Sequence, residues 1–229
     1  VKLSIQAWTV VSSIVKKIKQ HPFIEELAKG TLSFDKFDYY SAQDQIYSQH
    51  HKACSRLLAQ KASLEYQFFF REAAQNTMEL DQKANKLCTK AIVDYAAENM
   101  SPSLFYHTRD LHQLCRTEPV CVGMAGLFPC YKIYLEVGLH LAHLRKNDDK
   151  LNPFEDWIQR YSSAQYSDSV AQATDVFDSL AAKTTALNQH KMLTVFYSSS
   201  FFELNFWDDS YYKRHIRVPA YKCPASQYK

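Results

Sequence analysis

Residues 126–138 read GLFPCYKIYLEVG, and the fold turns on how this stretch is taken. Leu127, Tyr134, Val137 and, further on, Leu141 and Leu144 fall at helical spacing, which predicts one amphipathic helix with a core-facing stripe. Pro129 lies inside that helix, directly before Cys130. A proline there removes a backbone donor and clashes with the preceding turn, at a cost of about 3 kcal/mol. The disrupted turn frees carbonyls and opens space beside the thiol.

The rest of the chain supports helices on either side. Among 229 residues there are 4 glycines and 7 prolines, too few turn signals for a many-stranded sheet. The length suits one well-packed core. The composition, 46% hydrophobic and 22% charged, is that of an ordinary globular chain. A net charge of +3, with only the short basic clusters KKIK (16–19) and KRHIR (213–217), points to no nucleic-acid partner. No apolar run is expected to reach membrane-spanning length. The six cysteines form no CxxC pair and read as reduced thiols, so a cytoplasmic location is expected. The opening VKLSIQAWTVVSSIVKKIKQ lacks a small-residue cleavage site and reads as a helix rather than a leader.

Periodicity and caps predict an all-α chain forming one domain over 1–229, with a C-terminal tail from about 214. A first helix is expected over about 3–19. His21-Pro22 opens a second that stops at Gly30. Ser33 caps a third, whose stripe runs Phe34, Phe37, Tyr40, Asp44, Tyr47, His51, Cys54, Leu58. Ser63 caps a fourth that extends to about residue 100. Pro102 starts a fifth, residues 118–146 form the sixth, and three more follow, within 152–163, 165–183 and 186–213. The tail RVPAYKCPASQYK is expected to be loosely held.

Three polar groups lie on inner stripes. Asp44, with Tyr40 and Tyr47 a turn to either side, is a desolvated carboxylate that needs a partner. It either takes a hydrogen bond from a neighbouring helix or faces an enclosed pocket. Cys130 shares its stripe with Leu127, Tyr134, Val137 and Leu141. A lone buried cysteine is ordinarily a small hydrophobe, and Pro129 is what sets this one apart. Glu203 follows Phe196 and Ser199 and precedes Phe206 and Ser210 on a face of aromatic and small residues. It either makes a hydrogen bond to another helix or serves as a general acid whose pKa such surroundings raise. Together the thiol and the two carboxyls could form a nucleophilic site. A di-iron centre is not expected, because no Glu has a His three residues on. No zinc pattern appears, and His21 before Pro22 reads as structural, so no metal or cofactor is expected.

Four segments in this order, HPFIEELAKGTLSFDKFDYYSAQDQIY (21–47), LFPCYKIYLEVG (127–138), NPFEDWIQRYSS (152–163) and FFELNFWDDSYY (201–212), resemble the TenA family, or thiaminase II. The PCYxxYxEVG core is the most specific of them, and the likeness spans about residues 1–213. It implies a haem-oxygenase-like multi-helix bundle around a central pocket, assembled as a homotetramer. It also implies hydrolysis of thiamin or of its degraded aminopyrimidine derivatives to 4-amino-5-hydroxymethyl-2-methylpyrimidine, in thiamin salvage. The small-molecule partner is then an aminopyrimidine or thiamin. Cys130 matches the family's nucleophile, Asp44 the carboxylate that binds the aminopyrimidine and helps activate the thiol, and Glu203 the acid that protonates a ring nitrogen. Tyr47 and Tyr134 match aromatic positions along the substrate, and Tyr161 a hydrogen-bonding tyrosine.

The chain departs from the family pattern at two places. His107 stands where a pocket tyrosine is common: it either turns towards a neighbouring helix or lines the pocket, where an imidazole that gains charge between about pH 5 and 8 would disfavour cationic substrates. Lys132 replaces a common tryptophan and should point off the pocket face. A non-catalytic pyrimidine-binding or regulatory protein on the same scaffold is the alternative, and a binding module has no need of a nucleophile. A haem-oxygenase-like redox enzyme is a third, which visible absorbance would reveal.

Overall fold

Every described element is a helix. The structure is a computed structural model that describes residues 1–84, 99–146 and 150–216, with the backbone alone over 76–84. In chain order the helices are α1 (Leu3–Val10), α2 (Ser12–Lys19), α3 (Pro22–Lys29), α4 (Phe34–Lys61), α5 (Leu64–Ala84), α6 (Pro102–Thr117), α7 (Val120–Arg145), α8 (Glu155–Ser162), α9 (Ala164–Ala182) and α10 (Ala186–Tyr212). The expected single helix over 3–19 is divided at Val11, which ends α1 in a non-helical turn. The β-branched run Thr9-Val10-Val11 loses side-chain freedom in a helix, and burying Val11 completely fixes the turn. Cys88 and Cys223, the later part of the expected fourth helix and the segment 217–229 lie outside the described residues.

The helix ends follow the sequence at α3 and α6, whereas Ser33 stands at the start of α4 without the expected side-chain cap hydrogen bond. The His21 imidazole accepts the Phe23 amide at 3.1 Å, Pro22 opens α3, and Gly30 closes it at a left-handed φ of 68°. Ser101 accepts the Leu104 amide at 3.2 Å ahead of Pro102, starting α6. Residues 214–216, expected to begin a tail, are tied down: the Tyr39 hydroxyl donates to the Arg214 carbonyl, and the Ile216 amide donates to the Met100 carbonyl at 2.9 Å.

α7 occupies the middle, packed against α8, α9 and α10, while α4 packs against α5 and α6. Contrary to the expectation from sequence, α7 is long and apolar enough to cross a membrane by length and composition alone. In its most apolar stretch 67% of the residues are buried inside the bundle, the pattern of a core helix. The helix runs through Pro129 without ending. Leu127, Tyr134, Val137 and Leu141 are buried as expected, but Leu144 is 54% exposed. A seven-residue spacing drifts about 20° per heptad against a 3.6-residue turn, and by the last turn the stripe has left the core. Phe34, at the first position of α4, is likewise 56% exposed.

One close approach sets the spacing at the site. A Cβ on Gly138 would lie 2.5 Å from the backbone carbonyl of Tyr161. Only glycine lets α8 come this near to α7. Tyr161 thereby packs on Tyr134 with ring centroids 5.0 Å apart.

Candidate active site

The polar residues of the inner stripes converge on one cavity. α4 supplies Asp44 and Tyr47 to its wall, α7 supplies Tyr134, α6 supplies Ser103 and His107, and α10 supplies Glu203 between Phe202 and Phe206. The α6 contribution is positioned by two side chains from elsewhere. The Gln43 amide joins the Asn99 carbonyl (2.7 Å) to the Ser101 amide (2.8 Å), and the Asp209 carboxylate accepts the Ser103 amide at 2.8 Å.

Glu203 is 3% exposed, and its Oε1 finds no hydrogen-bond partner among the described residues. Burial first, and then the nearby Asp44 charge, raise its pKa from 4.5 to about 8. At that pKa the carboxyl favours its protonated form at neutral pH, and it lines the cavity. Asp44 has a partner within the chain. Its field raises Cys130, Tyr40 and Tyr134 as well as Glu203, which places it at the electrostatic centre of the cluster.

Cys130 is half-buried, and its Sγ donates to the Leu127 carbonyl at 3.1 Å. It adjoins the cavity rather than walling it. The thiol pKa is pushed well up by burial and by the Glu203 and Asp44 charges, and is only partly offset by Tyr47 and the Tyr131 backbone. The resting group is thus a thiol, not a thiolate. Tyr47 comes near enough to ease the sulfur's ionisation, yet its hydroxyl makes no well-aligned hydrogen bond among the described residues.

Behind Tyr134 lies a block of rings. Tyr40 donates to the Tyr134 hydroxyl at 3.4 Å, accepts from Trp157 Nε1 at 3.3 Å, and stacks on Trp207 at 5.2 Å and 10°. Tyr161 belongs to this second layer, 4.6 Å from the Trp157 ring, and does not reach the cavity wall.

His107 does line the cavity. Its ring stacks on Phe202 (5.0 Å, 15°) and tilts against Tyr47 (5.5 Å). Burial, reinforced by His51, lowers its pKa to about 3, so the ring is neutral across pH 5–8. The expectation of a charge change in that range fails, because an ammonium-like ring cannot be solvated there. Lys132 points away from the cavity, as expected, with its Nζ 4.6 Å from the centre of the Trp8 ring.

Ser103, Leu104 and Phe202 were not singled out in the sequence. Spacing on α6 and α10 could have placed them, one turn from His107 and one residue from Glu203. His51 was read only as one member of the α4 stripe.

A helical bundle whose described cavity is walled by aromatic rings and two carboxyl groups, with a thiol nearby, defines a class of proteins that enclose a small molecule. Within that class the chain belongs to the TENA/THI-4/PQQC family, whose family model matches residues 8–214. It is 29% identical to the aminopyrimidine aminohydrolase of Bacillus subtilis over 218 residues, 91% of each chain. A TenA homologue from Pyrococcus furiosus superposes with a TM-score of 0.80 at 21% identity, over 91% of this chain and 99% of that one. A domain of unknown function with a heme oxygenase-like fold from Shewanella denitrificans superposes with a TM-score of 0.70 at 12% identity, over 91% of this chain and 92% of its own. These two likenesses speak to the fold, which is haem-oxygenase-like.

Proposed function

We propose that the chain is a cysteine-dependent hydrolase that releases 4-amino-5-hydroxymethyl-2-methylpyrimidine from an aminopyrimidine thiamin-degradation product or from thiamin. The family membership and the aminohydrolase relative support the reaction class. The single observation that carries the assignment to these residues is the cavity wall shared by Asp44 and Glu203, whose buried Oε1 has no hydrogen-bond partner among the described residues.

A flat ring entering between Tyr134, Phe206 and His107 would meet Asp44 at its amino and ring-nitrogen edge. Glu203 gives its proton to a ring nitrogen, which makes the ring electrophilic. Cys130 leaves the Leu127 carbonyl, loses its proton to the Asp44 carboxylate and adds to a ring carbon. The electron pair gained by the ring expels the group on the 5-methylene carbon, leaving an exocyclic methylene; an amine departs with the proton held by Asp44, whereas a thiazole departs neutral and that proton passes to solvent. Water gives its hydroxyl to that methylene and its remaining proton to the sulfur as the carbon–sulfur bond breaks, and the ring nitrogen returns its proton to Glu203. The raised pKa of the thiol suits this order, since the nucleophile forms only when a ligand sits beside it.

The test is a mass-spectrometric product assay with thiamin and the aminomethylpyrimidine side by side. Wild-type protein should form the hydroxymethylpyrimidine, and Cys130→Ser should bind ligand yet form almost none. Near-wild-type turnover by Cys130→Ser would sink the covalent mechanism.

A further inference from the structure

Around Tyr47, which neighbours Cys130, lies a group of polar atoms whose hydrogen bonds the reaction above does not use. His51 is 3% exposed, and neither of its ring nitrogens has a hydrogen-bond partner among the described residues. His107, 4% exposed, leaves Nε2 without one, and so does the buried Tyr47 hydroxyl. The three side chains are neighbours: Tyr47 has its ring centroid 6.0 Å from His51 and 5.5 Å from His107. The Tyr131 ring closes the far side of His51 at 5.4 Å.

A neutral imidazole has one donor and one acceptor nitrogen. Whichever tautomer His51 adopts, it therefore presents one of each, and each costs about 1–3 kcal/mol if left dry. Burial lowers the pKa of His51 to about 4 and that of His107 to about 3, so protonation does not relieve either ring near neutrality. A buried water takes two to four hydrogen bonds from polar groups of this kind and is part of the structure where it does so.

We propose that His51, His107 and Tyr47 form a cell that holds the water consumed in the second half of the reaction. The proposal rests on the hydrolase function argued above. The two imidazoles are positioning residues: they orient a water beside the sulfur-bound ring and present its oxygen to the methylene carbon. The hydroxyl group goes to that carbon, the remaining proton replaces the one the sulfur lost, and the carbon–sulfur bond breaks, with no oxidant or further reactant. With pKa values near 3 and 4 the rings are weak bases. Their contribution is placement rather than proton removal.

Pre-steady-state kinetics with the aminomethylpyrimidine separates the two halves. In His51→Phe, a change outside the walls that bind the ring, release of the leaving group should remain fast for the first turnover and then fall to a steady rate lower by roughly tenfold to a hundredfold, the scale of a misplaced reactant. Intact-protein mass spectrometry should then show the pyrimidine adduct on Cys130, and His51→Gln, which keeps a donor and an acceptor, should recover much of the rate. A parallel loss in both phases with no adduct would overturn the proposal, and so would an unchanged steady rate. Should the phenylalanine variant not fold, methanol trapping in wild-type protein decides it. A pre-positioned water yields only the hydroxymethyl product, whereas methyl ether formed in proportion to added methanol overturns the cell. Absence of any turnover in wild-type protein would count against the hydrolase function itself, a result distinct from all of these.

Discussion

At the scale of the residue, the site separates cysteines that look alike in sequence. Cys54 and Cys115 are completely buried, and the Cys54 sulfur together with burial raises the Cys115 pKa, so both serve as core packing. Cys54→Ser and Cys115→Ser should therefore keep kcat, with any loss appearing in Tm, while Cys130→Ser loses turnover. Glu203→Gln preserves size and most hydrogen bonding but removes the proton. Its kcat should fall by about a hundredfold to ten-thousandfold with a modest change in KM. A variant that lost binding and kept kcat would show that Glu203 only holds the ligand. At His107 the neutral ring alters the expected outcome. His107→Tyr should change the rate, but the ratio of kcat/KM for cationic and neutral substrates should vary with pH as it does in wild type. A ratio that diverges between pH 6 and pH 8 only in wild-type protein would mean that the imidazole carries charge.

At the scale of the element, the stripes on α4, α7 and α10 were legible because each polar residue interrupts an otherwise buried row. Phe196, Ser199, Glu203, Phe206 and Ser210 are all buried, as their spacing requires. The α6 residues were less legible, because Ser103, Leu104 and His107 are ordinary helix residues until Gln43 and Asp209 fix the start of that helix. Nor does helical periodicity show which ring reaches the cavity and which stands behind it, the difference between Tyr134 and Tyr161. That difference is set by the approach of α7 to α8 at Gly138, and it can be tested. A methyl group there meets backbone rather than a movable side chain. Gly138→Ala should cost about 1–3 kcal/mol, the usual scale of overpacking. By pushing α8 and its Tyr161 outward it should also raise KM through Tyr134. An unchanged Tm and KM would show that the two helices have slack.

At the scale of the whole molecule, sequence conveyed the all-helical class through scarce glycine and regular caps, but not the energetic cost of the site. That cost resides in buried titratable groups, whose signs can be worked out. The folded chain refuses protons at His51 and His107 down to about 4 and 3, whereas exposed histidines bind them near 6.5, so stability is lost as pH falls below about 6.5. His21, His50, His112 and His140, all lowered by burial, act in the same direction. Glu203 acts oppositely. The folded chain keeps a proton that the unfolded chain gives up above 4.5, so stability is lost as pH rises from there to about 8. Between those limits the histidines outweigh the single carboxyl on the acid side, and Glu203 dominates above about 6.5. The predicted maximum in Tm therefore lies near pH 6.5. Glu203→Gln removes the alkaline branch, and its Tm advantage over wild type should grow by about 4 kcal/mol, or roughly 10 °C, between pH 5 and pH 8.5. Thermal melts of both proteins across that range measure it directly. A constant difference would mean that Glu203 is already ionised in the folded chain, and the acid assigned to it would have to come from elsewhere.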